Sequence, residues 1–223
     1  MNLAHVWVDW KIQDIYRFDV DIEILKPTPE KLQKGLLFWQ WHFNFKKDGG
    51  YIGLQLVESK KKAIFSIWLA VRGTEGCCLI DEHEKPVYRC LIYYPWKLGQ
   101  KYRLIVKEGK KETDGTWWIG EIYDYANHRT TRIGKILVPA SFGKLSAHNY
   151  YTCIEYGYFD VEDLPPTRAR FSGHFAYDRK EDGPAHLRAE KPKVAYPDKS
   201  EKSKVIFEDS SYILEAGGRV GRS

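Results

Sequence analysis

The sequence lacks most of the features that announce a function. Methionine occurs once, at position 1. There are four cysteines, Cys77, Cys78, Cys90 and Cys153, and no C-x2-C pair, so a standard zinc knuckle is excluded. No apolar run approaches the ~18 residues of a membrane helix, and no membrane partner is expected. The N-terminus, MNLAHVWVDWKIQDIYRFDV, has no basic start followed by an unbroken apolar stretch. It does not read as a secretory signal, so the expected address is the cytoplasm unless a leader is missing. No P-loop, dinucleotide fingerprint, nucleophile elbow or H-E-x-x-H string is present. A large excess of one charge is also lacking. The net charge is +5 and the pI about 8.8, well short of a dedicated nucleic-acid binder.

What the chain has is aromatic and strand-forming residues. Its 223 residues include 8 Trp, 15 Tyr and 10 Phe. That length suits one domain, or one large β domain with a tail. Apolar residues make up 43% and charged ones 29%, so a sizeable core is expected rather than wholesale disorder. The positive excess is local. Between Ala185 and Lys204, Arg188, Lys191, Lys193, Lys199, Lys202 and Lys204 outnumber Glu190, Asp198 and Glu201. A solvated segment is the plainer reading and a polyanion-facing patch the sharper one.

The dominant pattern has period two. Residues 14–25 alternate with Ile15, Phe18, Val20, Ile22 and Ile24 apolar, and one phase break falls near Arg17. LLFWQWHFNF (36–45), YIGLQLV (51–57) and AIFSIWLAV (63–71) are separated by the turns KKDGG and ESKKK and read as a meander. Further strands are expected at 86–96, 101–109, 116–126, 131–139, 149–159, 168–178 and 204–216, with Asp114-Gly115 as a hairpin turn. Helical signal is confined to one short turn between Pro29 and Leu36. Strands at this spacing, without helical intervals, predict an all-β antiparallel two-sheet sandwich or barrel. The expected layout is a sandwich domain over 1–178, a polar loop or linker over 179–203, and a strand over 204–223 that returns to the sandwich. A Cys77 or Cys78 bridge to Cys90 could close the 77–90 hairpin, but in a cytosolic protein reduced, buried thiols are the preferred expectation.

Several strings recur in an order that propensity alone does not explain. They are Gly50-Tyr51-x-Gly53-x-Gln55, Phe65-Ser66-x-Trp68, Gly73-x-Glu75-Gly76 and Tyr94-Pro95-Trp96-x-x-Gly99-x-x-Tyr102, then the Trp117–Tyr123 strand closing at Pro139. This set resembles the uncharacterised family known as domain of unknown function 3472, over about two thirds of the chain. The resemblance implies a concanavalin A-like jelly roll and a carbohydrate-related role, but no reaction. The chain departs from the pattern at Leu69, where an acid is expected, and at Cys78, where a glycine is expected.

Candidate site residues follow from the chemistry of side chains on strands. Trp39, Trp41, Trp68, Trp96, Trp117 and Trp118 are candidate sugar platforms, because an indole offers a flat face to the C–H face of a sugar ring. The pleat sends Trp117 and Trp118 to opposite faces, so one of them should leave the core. Gln40 and His42 share a face, as in the Gln-x-His strand motif of jelly-roll alginate lyases, where an imidazole can take a proton. Asp19, Asp21 and Glu23 share another face and resemble the acidic strand pattern of jelly-roll glucanases. Glu75, in a Gly-Thr-Glu-Gly loop near Asp81 and Glu82, could shape a ligand or calcium site, although no cofactor is required. Glu155, with Cys153 and Gly157 beside it on one face, could line a concavity. The leading expectation is a non-catalytic carbohydrate-binding module, leaning away from enzyme. The alternatives are a lyase or glycoside hydrolase on the same fold, and a nucleic-acid or protein interaction domain, with nucleic acid the less favoured partner. The sequence sets no oligomeric state.

Overall fold

The structure, a computed structural model, describes residues 2–10, 14–26, 35–74, 76–82, 85–158, 164–178, 187–188 and 203–218. The alternating segments form the strands they predict, and an unexpected strand, β1 (Asn2–Val8), precedes them. They begin with β2 (Ile15–Lys26), β3 (Leu36–Asn44), β4 (Gly49–Val57) and β5 (Lys60–Trp68). The short β6 (Arg72–Gly73) and β7 (Cys77–Glu82) lead to β8 (Lys85–Tyr93), β9 (Lys101–Glu112), β10 (Gly115–Asp124) and β11 (Arg129–Pro139). A 3-10 turn at Ala140–Phe142 precedes β12 (Tyr150–Gly157), β13 (Thr167–Asp178) and β14 (Leu187–Arg188). The last described strands form the hairpin β15 (Ser203–Phe207) and β16 (Ser211–Ala216).

All pairings are antiparallel, and they build two sheets. The first runs β1-β12-β3-β4-β5-β8-β7. The second runs β15-β16-β13-β2-β9-β10-β11-β6, with β14 beside β13. Each sheet turns one side-chain row inward, and the two rows together make the core. On β3, Leu37, Trp39, Trp41 and Phe43 are fully buried between the sheets. On β2, Phe18, Val20, Ile22 and Ile24 meet them from the other side. The result is the antiparallel two-sheet sandwich that the alternation predicts.

The differences from the sequence reading have local causes. The phase break near Arg17 is a bulge: Arg17 stands opposite Tyr177 and Ile15 opposite Asp178, so Tyr16 is the extra residue. Residues 204–216 are a hairpin, closed by the Glu208 N–H donating to the Ser211 carbonyl. Cys77 stands directly opposite Cys90 in the β7–β8 register, and the two form a disulfide with Cα atoms 4.0 Å apart. This corrects the expectation of reduced thiols for that pair. Cys78 and Cys153 are free, the first exposed and the second buried. Glu75, residues 29–34 of the turn expected over 29–36 and most of the polar stretch over 179–203 lie outside the described residues, and Leu36 opens β3.

Candidate functional site on the outer face of the first sheet

The rows that face away from the core distinguish the two sheets. In the first sheet, register sets Trp7, Tyr151, His42, Tyr51, Ser66 and Arg89 side by side across six strands. The next row holds His5, Cys153, Gln40, Gly53 and Ile64. One row further lie Glu155, Phe38 and Gln55. Gln40, Cys153, Gln55, Ser66 and Ile64 point away from the core and are nevertheless buried, so this face is not a flat solvated surface.

Two candidates named separately meet here. The Gln40 amide Nε2 donates to Glu155 Oε2 at 2.5 Å, across the β3–β12 pairing and 115 residues of chain. The other end of the Gln40 amide, Oε1, is buried without a partner among the described residues. Gly53 lies beside Gln40 in the register, and a Cβ there would stand 2.3 Å from the Trp39 carbonyl oxygen and 2.7 Å from Gln40 Cα. Only glycine lets β4 approach the Gln40 strand this closely.

Aromatic rings flank the pair. His42 stacks on Tyr151 at 4.2 Å and 13°, and lies 5.4 Å from Tyr51 and 5.9 Å from Trp68. Trp7 leans on Tyr151 at 4.6 Å. Arg89 Nη2 donates to the Tyr51 hydroxyl at 2.8 Å. Burial pushes His42 down to about 3, and the neighbouring His5 adds to the shift. A ring of such low basicity takes no proton near neutrality, which counts against His42 as the base of a lyase. Burial, with Glu155 beside it, pushes the Cys153 thiol well up, so it stays protonated and is a poor nucleophile. Sequence reasoning found Gln40, His42, Trp68 and Glu155. It missed Trp7, Tyr51, Tyr151 and Arg89, although the alternation of YIGLQLV already put Tyr51 on the face of Gly53.

The other tryptophan candidates sort by the pleat. Trp39, Trp41, Trp96 and Trp118 are core residues with 0–1% exposure, so they have no ring face to offer a ligand. That corrects their expected role as platforms. Trp39 Nε1 donates to Thr167 Oγ1 at 3.0 Å, tying the sheets together, and Trp96 Nε1 donates to the Gln55 carbonyl at 3.1 Å. Trp117 turns outward and is half-buried, with the Arg72 guanidinium 5.5 Å over its ring.

The acidic row of β2 also resolves into structure. Asp19 accepts from Arg17 at 2.7 and 2.8 Å and from the Tyr177 hydroxyl at 3.1 Å. Asp21 accepts from Arg103 at 2.7 Å and Tyr125 at 3.1 Å, and Glu23 from Arg170 at 2.9 Å. Arg103 and Arg170 stand directly opposite Asp21 and Glu23 in neighbouring strands. The carboxylates are committed to this network, which corrects their reading as a hydrolase pair. Among the described residues no cluster of three metal-binding side chains occurs.

Comparison with known proteins bears on the fold. No protein-family model matches the chain, and no curated protein matches it. Solved structures do. Two are scytalido-glutamic peptidase with a peptide-based transition-state analog and with a transition-state analog inhibitor. They have TM-scores of 0.53 and 0.54 and identities of 8% and 7%. A third is SCP-B, a member of the Eqolisin family of peptidases, in a complex with the tripeptide Ala-Ile-His, with TM-score 0.52 and 7% identity. Each match covers 97% of this chain and 98% of the other. At such identity the likeness shows the β-sandwich fold alone.

Proposed function

We propose that the outer face of the first sheet is a hydrolytic site in which Glu155 and Gln40 act as a pair on an extended substrate, a peptide being the first class to test. The observation that carries this reading is the Gln40–Glu155 hydrogen bond on a partly buried, aromatic-flanked sheet face. A carboxylate there can take a proton from an attacking water. A primary amide beside it can donate an N–H to the oxyanion that develops on a carbonyl, at no cost in charge. The end-to-end fold likeness to proteins named as glutamic peptidases supports the scaffold for such a pair.

The test is cleavage of a mixed peptide library between pH 3 and 7, read by mass spectrometry, with wild type, Gln40→Ala and Glu155→Gln. Each variant should lose at least ~100-fold in rate, the cost of removing one oxyanion donor or the base. Absence of cleavage by the wild type at every pH sinks the proposal.

A second reading rests on the row of rings. The partly exposed rings Trp7, Tyr151 and Trp68 would serve a non-catalytic carbohydrate-binding module, stacking on a polysaccharide chain, with His42 and Tyr51 packed behind them. A glycan array with Trp68→Ala and Tyr151→Ala tests it, and glycan binding without peptide cleavage would favour it. Kinship with domain of unknown function 3472 is likewise a proposal, resting on the ordered strings between Gly50 and Pro139.

A further inference from the structure

A cavity of about 570 Å³ opens where β8 leaves the first sheet and meets the ends of β9, β10 and β11. That volume lies within the ~300–1,000 Å³ of small-ligand sites. Four strand steps separate its edge residue Tyr93 from the Glu155 strand, roughly 19 Å at ~4.8 Å per strand. It is therefore a separate place from the Gln40–Glu155 pair.

One wall is rigid by construction. The Asp124 carboxylate accepts from Gln100 Nε2 at 2.5 Å, from Asn127 Nδ2 at 2.6 Å, and from the Ala126 and Asn127 backbone N–H groups at 2.9 and 3.2 Å. Burial alone would raise its pKa, but these donors hold it below the usual carboxylate value. Asp124 thus fixes the 124–127 turn, and its charge is answered from within the wall. The Tyr102 hydroxyl accepts from the Lys97 backbone N–H at 2.8 Å and anchors the opposite wall.

The rim holds the recognition groups. Tyr93 is 74% exposed, an open aromatic face of the kind a sugar ring stacks on. Lys97 and Arg129 are exposed at the same cavity and form no ion pair among the described residues. Tyr94, whose ring packs on Tyr102 at 5.7 Å, also lines the cavity.

We propose that this cavity binds a hexuronate unit of an acidic polysaccharide. The ring stacks on Tyr93, the carboxylate lies between Lys97 and Arg129, and Asn127 and Tyr94 meet the hydroxyls. Two cations beside an aromatic face fit a sugar that carries a carboxylate better than a neutral one.

The experiment is titration of the full chain with trigalacturonate and, separately, with neutral cellotriose, by calorimetry at low salt. Trigalacturonate binds and cellotriose binds at least 10-fold more weakly. Tyr93→Ala and Arg129→Ala each weaken trigalacturonate binding at least 10-fold while keeping the wild-type circular dichroism and melting midpoint. If one of them unfolds, Lys97→Ala takes its place. No binding of trigalacturonate, equal binding of cellotriose, or unchanged binding by folded variants overturns the proposal. Peptide cleavage is read in parallel, and Tyr93→Ala leaves it unchanged, so failure at this cavity is told apart from failure at the Gln40–Glu155 pair.

Discussion

His174 should make the fold sensitive to acid. A bulge between Ser172 and Phe175, with Gly173 at φ +54°, turns the His174 ring inward. The ring stacks on Tyr212 at 5.4 Å and 8° and meets Trp41 edge-on at 5.4 Å. Both ring nitrogens are buried and have no partner among the described residues. Burial pushes the ring's pKa from 6.5 down to about 3. The unfolded chain therefore binds a proton that the folded chain refuses, so stability is full above pH ~6.5 and falls as pH drops toward ~3. At pH 4.5, two units below the unfolded value, the penalty is about 2.7 kcal/mol at ~1.36 kcal/mol per unit. His174→Phe keeps the ring contacts and removes the titration. Urea unfolding at pH 7.5 and 4.5 should show the variant losing about 2–3 kcal/mol less than wild type between the two conditions. The carboxylates act equally in both proteins and cancel from that difference. At pH 7.5 the variant should be within about 1 kcal/mol of wild type, because it removes buried nitrogens that lack partners. Equal losses on acidification in the two proteins would refute the reasoning.

The remaining predictions concern the disulfide and the second sheet. Reducing Cys77–Cys90, which are 13 residues apart, should cost about 3 kcal/mol by the loop-entropy relation; melting with and without a phosphine reductant reads it, and an unchanged midpoint would speak against it. Trp118→Ala should cost about 3–5 kcal/mol and Trp117→Ala under about 1, because the first ring is fully buried and the second is not; equal losses in denaturant melts would contradict the assigned faces. Arg103→Ala should cost about 3 kcal/mol by leaving Asp21, 6% exposed, without its guanidinium. The double variant Arg103→Ala/Asp21→Ala should recover part of that loss, and a strictly additive result would count against the pairing.

The alternation of apolar and polar residues is enough to make the sandwich legible. Leu37, Trp39, Trp41 and Phe43 point inward because their spacing leaves them no other common face. Three things were not legible. The strand β1 carries the same alternation in Val6 and Val8, but the segment is short and its partner β12 lies far along the chain. The 204–216 hairpin turns at Asp209-Ser210, a weaker turn signal than glycine or proline. The Gln40–Glu155 contact needs β3 and β12 to be neighbours, and strand order in a sheet does not follow from the order of strands in sequence. Each residue was individually visible as an outward polar group, whereas their partnership is a property of topology.

The two outer faces show why a carboxylate on a strand is weak evidence for chemistry. On the second sheet, acids on neighbouring strands meet cations in register: Asp21 meets Arg103, Glu23 meets Arg170, and Glu121 meets Arg132 at 3.8 Å, with Lys107 diagonal to Glu121 at 2.6 Å. Such pairs settle the charge and hold the strands together, and they offer a substrate little. On the first sheet Glu155 takes a hydrogen bond from a neutral amide, on a face whose two nearest rows are aromatic or buried. An amide donor does not lock the acid in its charged form as a guanidinium does, and it can turn its own N–H toward a second oxygen. The same kind of side chain on the same fold thus sits beside a guanidinium on one sheet and beside a primary amide on the other. The distinction lies in the cross-strand partner, which is why the candidate site is placed on the first sheet.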